Sequence, residues 1–403
     1  MSHTRQGSQG VSEQMSQSFV TINRRGAERA RGGHLWIYRG DVRDAGRSVG
    51  GSVVRVRDER GRFVGQAFYS DRSEIALRLL THRDEDVDRE WWRRRLRGAL
   101  ARRAGLGDEA DAYRLVYSEG DLLPSLIVDR YADVLVVQTL SQGADALKGM
   151  LAELLVEETG ARAVVERNDV RVRVLEGLPM QAGVLYGEEP GSLEVVQHGV
   201  RFSVAPLGGQ KTGAFLDQRE NHLAAKAYAR GRALDCFTFN GGFALSIAPA
   251  CESVTGLDVS AEAVAAARRN AELNGAGAVE FREANVFDAL RGMEEAGERF
   301  QTVVLDPPAF AKNRASVEAA ARGYKEINLR ALKLLDAGGF LVTCTCSYHM
   351  SEQAFLEVIA EAAADARRRV QIVERRTQSR DHPVLVGVPE TLYLKCVVAR
   401  VIE

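Results

Sequence analysis

Two segments of this 403-residue chain end in residue types that can do covalent chemistry. They are residues 303–312 (VVLDPPAFAK) and 341–347 (LVTCTCS), and each opens with the apolar, β-branched run of a buried parallel strand. Ligands of an open α/β sheet bind at the carboxyl ends of its strands. Asp306, the ring of Phe310 and the thiol of Cys346 are therefore expected to face one crevice. An acid, a flat platform and a thiol together suit covalent chemistry on a heteroaromatic ring such as a nucleobase.

Methylation of cytosine at C5 is a reaction that needs these groups, because C5 is a poor nucleophile. A thiolate that adds to C6 creates an enamine, which takes a methyl group at C5 before a base removes the C5 proton and the thiolate leaves. The nucleobase must be held out of its stack. In this interpretation Cys346 is the nucleophile, Asp306 is the acid beside N3, Phe310 stacks on the nucleobase and Lys312 contacts a phosphate.

The residues themselves leave two choices open. Cys344 lies two residues before Cys346 and hence on the same side of a strand, so spacing does not decide which thiol reacts. A lone Cys at a strand end is also often a small buried apolar residue. An acid followed by two prolines serves equally for methylation of an exocyclic amine, in which Asp306 and the carbonyl of Pro307 hold the nitrogen and no thiol is needed.

The loop after the first strand of the same region predicts a cofactor pocket. Gly241 and Gly242 allow a tight turn and a close approach of the backbone to a ligand. Asp258, 23 residues after Asp235 and at the end of the next strand, is placed to bind a ribose diol. An acid at position 235 suits the cationic methionine group of S-adenosylmethionine, whereas a dinucleotide site needs Gly-x-Gly-x-x-Gly. Asn285 is expected to read the adenine amine.

The elements that must position these residues alternate between strand and helix from about residue 232. This pattern predicts an α/β fold with a doubly wound parallel sheet. The strands are predicted at 232–237, 253–258, 279–283, 302–306 and 339–343, a helix at 261–273, and a closing hairpin at 370–374 and 391–398. Upstream, glycine-punctuated strands predict a β-rich module at 19–22, 52–56, 63–69 and 75–80. A helix at 86–104 and a small α+β unit follow, with strands at 113–117, 125–129, 134–138 and 163–166 around a helix at 144–158.

Composition is that of a globular protein, with 45% hydrophobic residues, 27% charged residues and a net charge of −1. Between residues 20 and 80, 13 arginines and no lysine stand against 7 acidic residues, and this balance of about +6 is a common footprint of a nucleic-acid partner. Residues 1–18 are expected to form a disordered tail without a signal peptide, and no run predicts a membrane span. Five scattered cysteines favour a reducing cytoplasm and predict no metal site.

In these motifs the chain, from about residue 19 to its end, resembles the RlmI-type RNA cytosine-5 methyltransferases, which act on 23S ribosomal RNA. The likeness is carried by GHLWIY at 33–38, QKTGAFLDQREN at 210–221, DPPAFAK at 306–312 and CTCS at 344–347. It implies an RNA-binding PUA domain, a small α+β domain, a class I methyltransferase domain and a homodimer. Thr-Cys-Ser implies Cys346 as the nucleophile. Pro308 stands where the wider family has a second Cys, which leaves product release without its usual helper thiol.

The motifs and the resemblance together predict the domains and the site. The domains are a disordered tail at 1–18, a PUA-like RNA-binding domain at 19–85, a linking helix and small α+β domain at 86–200, and a methyltransferase domain at 201–403. Rival functions are methylation of an exocyclic amine, a non-catalytic RNA-binding or ribosome assembly factor, and a nicotinamide dehydrogenase. The predicted site residues are Cys346 and Asp306 for catalysis, Phe310, Lys312 and Arg39 for RNA, and Gln218, Asp235, Phe237, Thr238, Gly241, Gly242, Asp258, Val259, Asn285, Val286, Asp306 and Pro307 for S-adenosylmethionine.

Overall fold

The computed structural model describes residues 19–208, 214–311 and 313–402. The strands of this part of the chain form three larger sheets and one two-stranded hairpin. The tail predicted at 1–18, the start of the QKTGAFLDQREN motif and Lys312 lie outside the described residues.

The first sheet forms the predicted β-rich module. Its elements are β1 (Phe19–Ile22), α1 (Arg24–Arg31), β2 (Trp36–Tyr38), β3 (Val42–Asp44), β4 (Val53–Asp58), β5 (Phe63–Tyr69) and β6 (Ile75–Thr81). The strand order is β2-β6-β5-β4-β1-β3, and the consecutive strands β4 and β5 form an antiparallel pair. Helix α1 is not among the predicted elements, because its buried face consists only of Gly26, Ala27 and Ala30, without a large apolar side chain.

The second sheet forms the predicted small α+β unit. Its elements are α2 (Arg89–Arg102), β7 (Ala112–Tyr117), β8 (Leu126–Tyr131), β9 (Val134–Thr139), α3 (Gln142–Ala146), α4 (Lys148–Thr159), β10 (Ala163–Arg167) and β11 (Ala182–Tyr186). The order is β11-β10-β9-β8-β7. The single helix predicted at 144–158 is observed as two, α3 and α4, separated at Leu147. A hairpin of β12 (Leu193–Gln197) and β13 (Val200–Val204) crosses the predicted domain boundary at 200, and the domain limits stay predictions.

The third sheet has seven strands and carries the chemical motifs. Its strands are β14 (Arg232–Cys236), β15 (Ser253–Asp258), β16 (Val279–Glu283), β17 (Phe300–Leu305), β18 (Leu335–Thr345), β19 (Val370–Arg376) and β20 (Lys395–Val401). The helices are α5 (Arg219–Tyr228), α6 (Gly242–Ile247), α7 (Ala261–Leu273), α8 (Val286–Glu295), α9 (Val317–Leu334) and α10 (Glu352–Asp365). The order is β16-β15-β14-β17-β18-β20-β19, parallel except for β20. This confirms the predicted doubly wound α/β sheet, although its last strand begins at Lys395 and not at 391.

Both faces of this sheet are covered, which explains why its central strands are continuous apolar runs. Helices α8, α9 and α10 pack on one face, against Leu305 and Leu341. Helices α6 and α7 and the second sheet pack on the other face, where Val304 and Val342 meet Val136. The chain order reverses between β14 and β17, so a crevice opens where their carboxyl ends diverge. The register sets Cys236 beside Leu305 and Leu305 beside Thr343, so the loops after β14, β17 and β18 open on one edge.

Candidate active site

The loop after β14 is held in a conformation that side chains rarely adopt. Phe237 and Phe239 have φ angles of 64° and 51°, and Gly241 has a φ of 88°. Such backbone persists only where the surroundings fix it. Asp235 fixes it here, because its Oδ2 accepts hydrogen bonds from Thr238 Oγ1 at 2.6 Å and from the Ala244 backbone N–H at 2.9 Å. The sequence therefore pre-shapes this loop before any ligand arrives.

Asp235 itself is sealed inside the fold. Burial raises the pKa of its carboxyl group to about 7, against the hydrogen bonds of Thr238 and Ala244, which lower it. Its Oδ1 is buried and has no hydrogen-bond partner in the described part of the chain. Because this oxygen is buried, the structure does not test the predicted contact with the methionine group of the cofactor, which stays a prediction. The observed role of Asp235, however, is to hold the loop.

Gly242 supplies a close approach that only glycine allows. A Cβ added there would lie 2.7 Å from Cε1 of His222, a ring that is itself packed edge-on against Phe243. Burial lowers the pKa of His222 to about 3, so this ring is a neutral packing group.

We expect Gly242→Ala to lower both the unfolding free energy, by about 1–3 kcal/mol, and the affinity for the cofactor, because the His222 ring must shift and carry the loop with it. Urea denaturation and calorimetry measure the two effects. Gly292→Ala is the matched control, since a Cβ in this turn of α8 meets nothing within 4 Å. The control should be neutral or more stable by about 0.5–1 kcal/mol. Equal behaviour of the two variants would contradict this reading of Gly242.

The adenosine side of the predicted pocket is open. Asp258 is half-buried and accepts from the backbone N–H groups of Phe239 and Ser260, each at 2.9 Å, and a carboxylate retains further lone pairs for a ribose diol. The side chain of Val259 is 69% exposed at the same strand end, an apolar surface suited to a flat ring. Val286, which was also predicted to contact the cofactor, is buried.

Asn285 has a structural role that was not predicted, and its contact with adenine stays a prediction. Its Oδ1 caps helix α8 by accepting from the backbone N–H groups of Phe287 at 2.9 Å and Asp288 at 3.4 Å. An adenine amine would share this oxygen with the helix, so the observed role of Asn285 is that of an N-cap.

Asp306 is oriented by a chain of amides. Gln218 donates from Nε2 to Asp306 Oδ1 at 2.8 Å, and Asn221 donates to Gln218 Oε1 at 2.7 Å. Asn221 also donates to the backbone carbonyl of Thr377 at 3.1 Å. Gln218, predicted to contact the cofactor, thus contacts the catalytic acid of the predicted mechanism. The sequence offered no sign of this pairing across 88 residues.

The two thiols differ in accessibility. Cys344 is fully buried within β18, opposite Cys396, and burial raises the pKa of its thiol well above the usual value. Cys346 lies beyond the end of β18 and is partly exposed. Its Sγ lies 4.0 Å from the Pro307 backbone carbonyl, the first residue after Asp306. Nucleophilic thiols need access and an ionised form, so the structure favours Cys346 where spacing alone did not choose.

A hydroxyl network that the sequence did not predict joins the two chemical loops. The buried Tyr324 hydroxyl accepts from Thr345 Oγ1 at 2.7 Å and lies 2.9 Å from Ser347 Oγ. Ser347 Oγ in turn accepts from the Ala311 backbone N–H at 3.1 Å. Tyr324 thus holds both neighbours of Cys346 and the segment after Phe310. From the sequence alone, Tyr324 cannot be distinguished from a tyrosine that only fills the buried face of an amphipathic helix.

We expect Tyr324→Phe to lower the unfolding free energy by about 1–3 kcal/mol and to slow turnover, because Thr345 and Ser347 lose their shared partner. Denaturant titration and initial rates measure these changes. Tyr228→Phe is the matched control, because its hydroxyl donates to Glu374 at 3.0 Å in a more exposed place. The control should stay within about 0.5 kcal/mol of the parent. A loss as large in the control would show that Tyr324 has no special position.

The structure describes two of the three residues that were predicted to contact RNA. Lys312 lies outside the described residues. Phe310 is half-buried, with its ring centroid 4.7 Å from that of Tyr324 and 6.1 Å from that of Phe287, so one side of the ring is already packed. Arg39 donates from Nε and Nη2 to the backbone carbonyls of Ser73 and Ser70. This favours a structural role for Arg39 over the predicted contact with RNA.

The β-rich module touches the active-site region through the segment before β20. Val388 is buried in the core of the module, and Glu390 lies 3.2 Å from His34 of the GHLWIY motif. Tyr348, two residues after Cys346, is 42% exposed and close enough for the charges of Glu390 and Tyr38 to contribute to raising its pKa, a shift due mainly to burial. The motif at 33–38 thus borders the loop that carries the thiol.

Comparison with known proteins fits this geometry. The family model of a PUA-like domain matches residues 20–82, and that of an S-adenosylmethionine-dependent methyltransferase matches residues 124–396. Proteins named ribosomal RNA large subunit methyltransferase I from Klebsiella pneumoniae (strain 342) and Shewanella amazonensis are each 41% identical over 377 residues, covering 91% of this chain and 94% and 95% of theirs. The chain belongs to this methyltransferase family.

Membership confirms the predicted resemblance and the predicted cofactor, S-adenosylmethionine. A crystal structure of a methyltransferase complexed with SAH aligns with a TM-score of 0.82 at 18% identity, over 95% of this chain and 100% of that chain. An S-adenosylmethionine-dependent methyltransferase from Streptococcus mutans aligns with a TM-score of 0.81 at 17% identity and the same coverage. These structural similarities confirm that this chain has the predicted class I methyltransferase fold.

Two features are absent from the part of the chain that the structure describes. No group of three or more His, Cys, Asp or Glu side chains there is arranged to hold a metal ion. No helix in residues 19–208, 214–311 and 313–402 is both long and apolar enough to cross a membrane.

Proposed function

We propose that this methyltransferase forms 5-methylcytosine in 23S ribosomal RNA, with Cys346 as the covalent nucleophile and Asp306 as the acid beside N3. The observation that carries the proposal is the partly exposed Sγ of Cys346, which lies 4.0 Å from the carbonyl of Pro307 in the acid motif, while Cys344 is sealed in the core. The name of the 41%-identical relatives supports the ribosomal RNA substrate, and the PUA-like match supports RNA binding.

In the proposed reaction the ring gains a thiolate at C6 and a methyl group at C5, and then loses the C5 proton and the thiolate. The Cys346 thiolate forms a bond to C6, and Asp306 donates a proton to N3, which neutralises the charge that the addition places on the ring. The proton returns to Asp306 when the S–C6 bond breaks. S-adenosylmethionine supplies the methyl group that C5 takes up, with S-adenosylhomocysteine as the product. A base then removes the C5 proton, the C5–C6 double bond re-forms, and the S–C6 bond breaks to return the thiolate. The chain's part is to present the sulfur, to hold Asp306 through Gln218, and to keep both loops in place through Tyr324.

The rival reaction on an exocyclic amine is less well supported. It needs the Pro307 carbonyl as an acceptor for the amine, and here the Cys346 thiol is the neighbour of that oxygen. A reaction that needs no thiol also gives no reason for holding Cys346 at this edge of the sheet.

Nucleoside analysis tests the proposal. The purified protein, S-adenosylmethionine and unmodified 23S ribosomal RNA should yield 5-methylcytidine on digestion and mass spectrometry. An N-methylated base would favour the amine reaction. RNA binding without a methylated product would favour a non-catalytic assembly factor. Mapping of the modified cytosine in cells with and without the gene identifies the position.

We also propose a cytoplasmic homodimer. The substrate and the five free cysteines support the compartment. The dimer is supported by the edge strand β11, where Val184 and Tyr186 are exposed, near a short helix that exposes Val174 and Leu175. Exposed apolar side chains on the edge strand of a sheet are typical of an interface.

We expect Val184→Glu to shift the protein from dimer to monomer in sedimentation equilibrium, because a buried unpaired carboxylate opposes association. Val49→Glu, at a valine that is 71% exposed in the β-rich module, is the control and should stay dimeric. A parent protein that sediments as a monomer would end this part of the proposal and leave the reaction untouched.

A further inference from the structure

Lys395 is a buried cation beside the proposed nucleophile. It opens β20, where the register places it opposite Thr345, the residue before Cys346. Its Nζ donates to the backbone carbonyls of Ser347 at 3.2 Å and Tyr393 at 3.1 Å, and the residue is only 7% exposed. The ammonium group is therefore fixed to the residue that follows Cys346, and not extended into solvent.

This burial has a cost that packing does not explain. Lysine is among the residues least often buried, and a buried charge is unfavourable unless a partner compensates it. Burial lowers the pKa of Lys395, and the charges of Cys346 and Glu352 act in the opposite direction. The two hydrogen bonds of Nζ go to neutral carbonyls, and the charges that act on the ammonium group are those of Cys346 and Glu352. An apolar residue at position 395 would fill the same space more favourably.

We propose that Lys395 is a positioning residue that holds Cys346 as a thiolate, so that the sulfur is ready to add to C6. A cation close to a thiol favours the ionised form, which is the nucleophile. The hydrogen bond to the Ser347 carbonyl also fixes the backbone that carries the sulfur. The inference rests on the proposed role of Cys346, but it concerns the protein without RNA and can be tested without turnover.

Other titratable groups surround the pair from each packed element. Asp306, after β17, is the acid of the proposed mechanism, and its Oδ1 accepts a hydrogen bond from Gln218. Tyr324, on α9, is a neutral hydroxyl because burial raises its pKa. Glu352, at the start of α10, acts on Lys395 and lies 3.6 Å from Arg375. Among these groups Lys395 is the buried cation, and its Nζ is hydrogen-bonded to the backbone of the residue that follows Cys346.

Alkylation by iodoacetamide measures the thiolate directly. The full-length protein is treated from pH 6 to 10, and the Cys346 peptide is followed by mass spectrometry. We expect a midpoint at least about one pH unit below the ordinary value near 8.5. Lys395→Gln keeps a donor for the carbonyls but removes the charge, so its midpoint should rise by about one unit or more. Alkylation at pH 7 should then be about tenfold slower, with the same plateau at high pH. Lys395→Arg should keep the low midpoint.

Three comparisons make the result decisive. Lys325→Gln removes a surface cation paired with Glu361 and Asp365, and it should leave the midpoint unchanged. Cys251, whose thiol has its pKa raised to about 11 by burial, reports general access in the same digest. Activity of Lys395→Gln, if the reaction is as proposed, should recover as the pH rises. An ordinary midpoint in the parent protein, or an unchanged midpoint in Lys395→Gln, overturns the inference. If Lys395→Gln does not fold, the inference is tested by the parent and Lys395→Arg, both of which should have the low midpoint. Absent turnover in all proteins would instead count against the proposed function.

Discussion

Replacement of Cys346 by Ala is expected to abolish formation of 5-methylcytidine, with a loss of at least about 10⁴-fold, on the scale seen when a covalent nucleophile is removed. Without the sulfur, C6 receives no electron pair and C5 stays too weak a nucleophile to take the methyl group. Binding of S-adenosylmethionine should persist, because the site residues that suit adenosine, Asp258 and Val259, lie at the end of β15. Initial rates and calorimetry measure the two properties.

Cys344→Ala is the matched control for this change. It removes a thiol of the same kind two residues away, but one that is buried opposite Cys396. The substitution should cost about 1 kcal/mol of unfolding free energy as a small cavity and leave the rate measurable. A rate lost in Cys344→Ala and kept in Cys346→Ala would mean that the other thiol is the nucleophile.

Asp306→Asn is the second large effect, with turnover reduced by about 10²–10⁴-fold while RNA and S-adenosylmethionine still bind. An amide cannot donate the proton that N3 needs when the thiolate adds to C6. The fold should survive, because the Asn oxygen still accepts the hydrogen bond that Gln218 donates at 2.8 Å. Single-turnover rates separate this loss from a loss of binding.

Asp336→Asn offers a control with the same chemistry. In that pair the Gln301 side chain on β17 donates to Asp336 on β18, just as the Gln218 side chain donates to Asp306. Asp336 lies near the start of β18, at the opposite end of the strand from Cys346. Near-parental turnover in Asp336→Asn, with the loss confined to Asp306→Asn, is the expected pattern. Full turnover in Asp306→Asn would remove the acid from the mechanism.

The strands of the third sheet were predictable because burial on both faces forces long apolar runs, and the residues at their ends stand out against them. The motifs at 306–312 and 344–347 therefore predict a shared crevice from the sequence alone. Helix α1 was less visible, because its amphipathic face has alanine and glycine where larger side chains would reveal the period. The strand predicted from 391 begins at Lys395, since the preceding residues instead cross to the β-rich module through Val388 and Glu390.

The supporting contacts of the site were beyond sequence reasoning for a different reason. Gln218, Tyr324 and Lys395 reach the chemical loops from three separate elements, and the residues they contact lie 88, 21 and 48 positions away in the chain. Nothing in local propensity or spacing distinguishes a tyrosine that fills a core from one whose hydroxyl organises a loop. Only the topology, which sets β20 beside β18 and α9 against their ends, brings these groups to Cys346.

Covalent trapping tests the central claim most directly. RNA that carries 5-fluorocytosine at the target accepts the thiolate and the methyl group, but fluorine cannot leave as a proton does, so the S–C6 bond persists. Peptide mapping of the trapped complex should show the nucleotide on Cys346, only when S-adenosylmethionine is present, and Cys344→Ala should still form it while Cys346→Ala does not. An adduct on Cys344, or methylated RNA made by a protein lacking both thiols, would contradict the account.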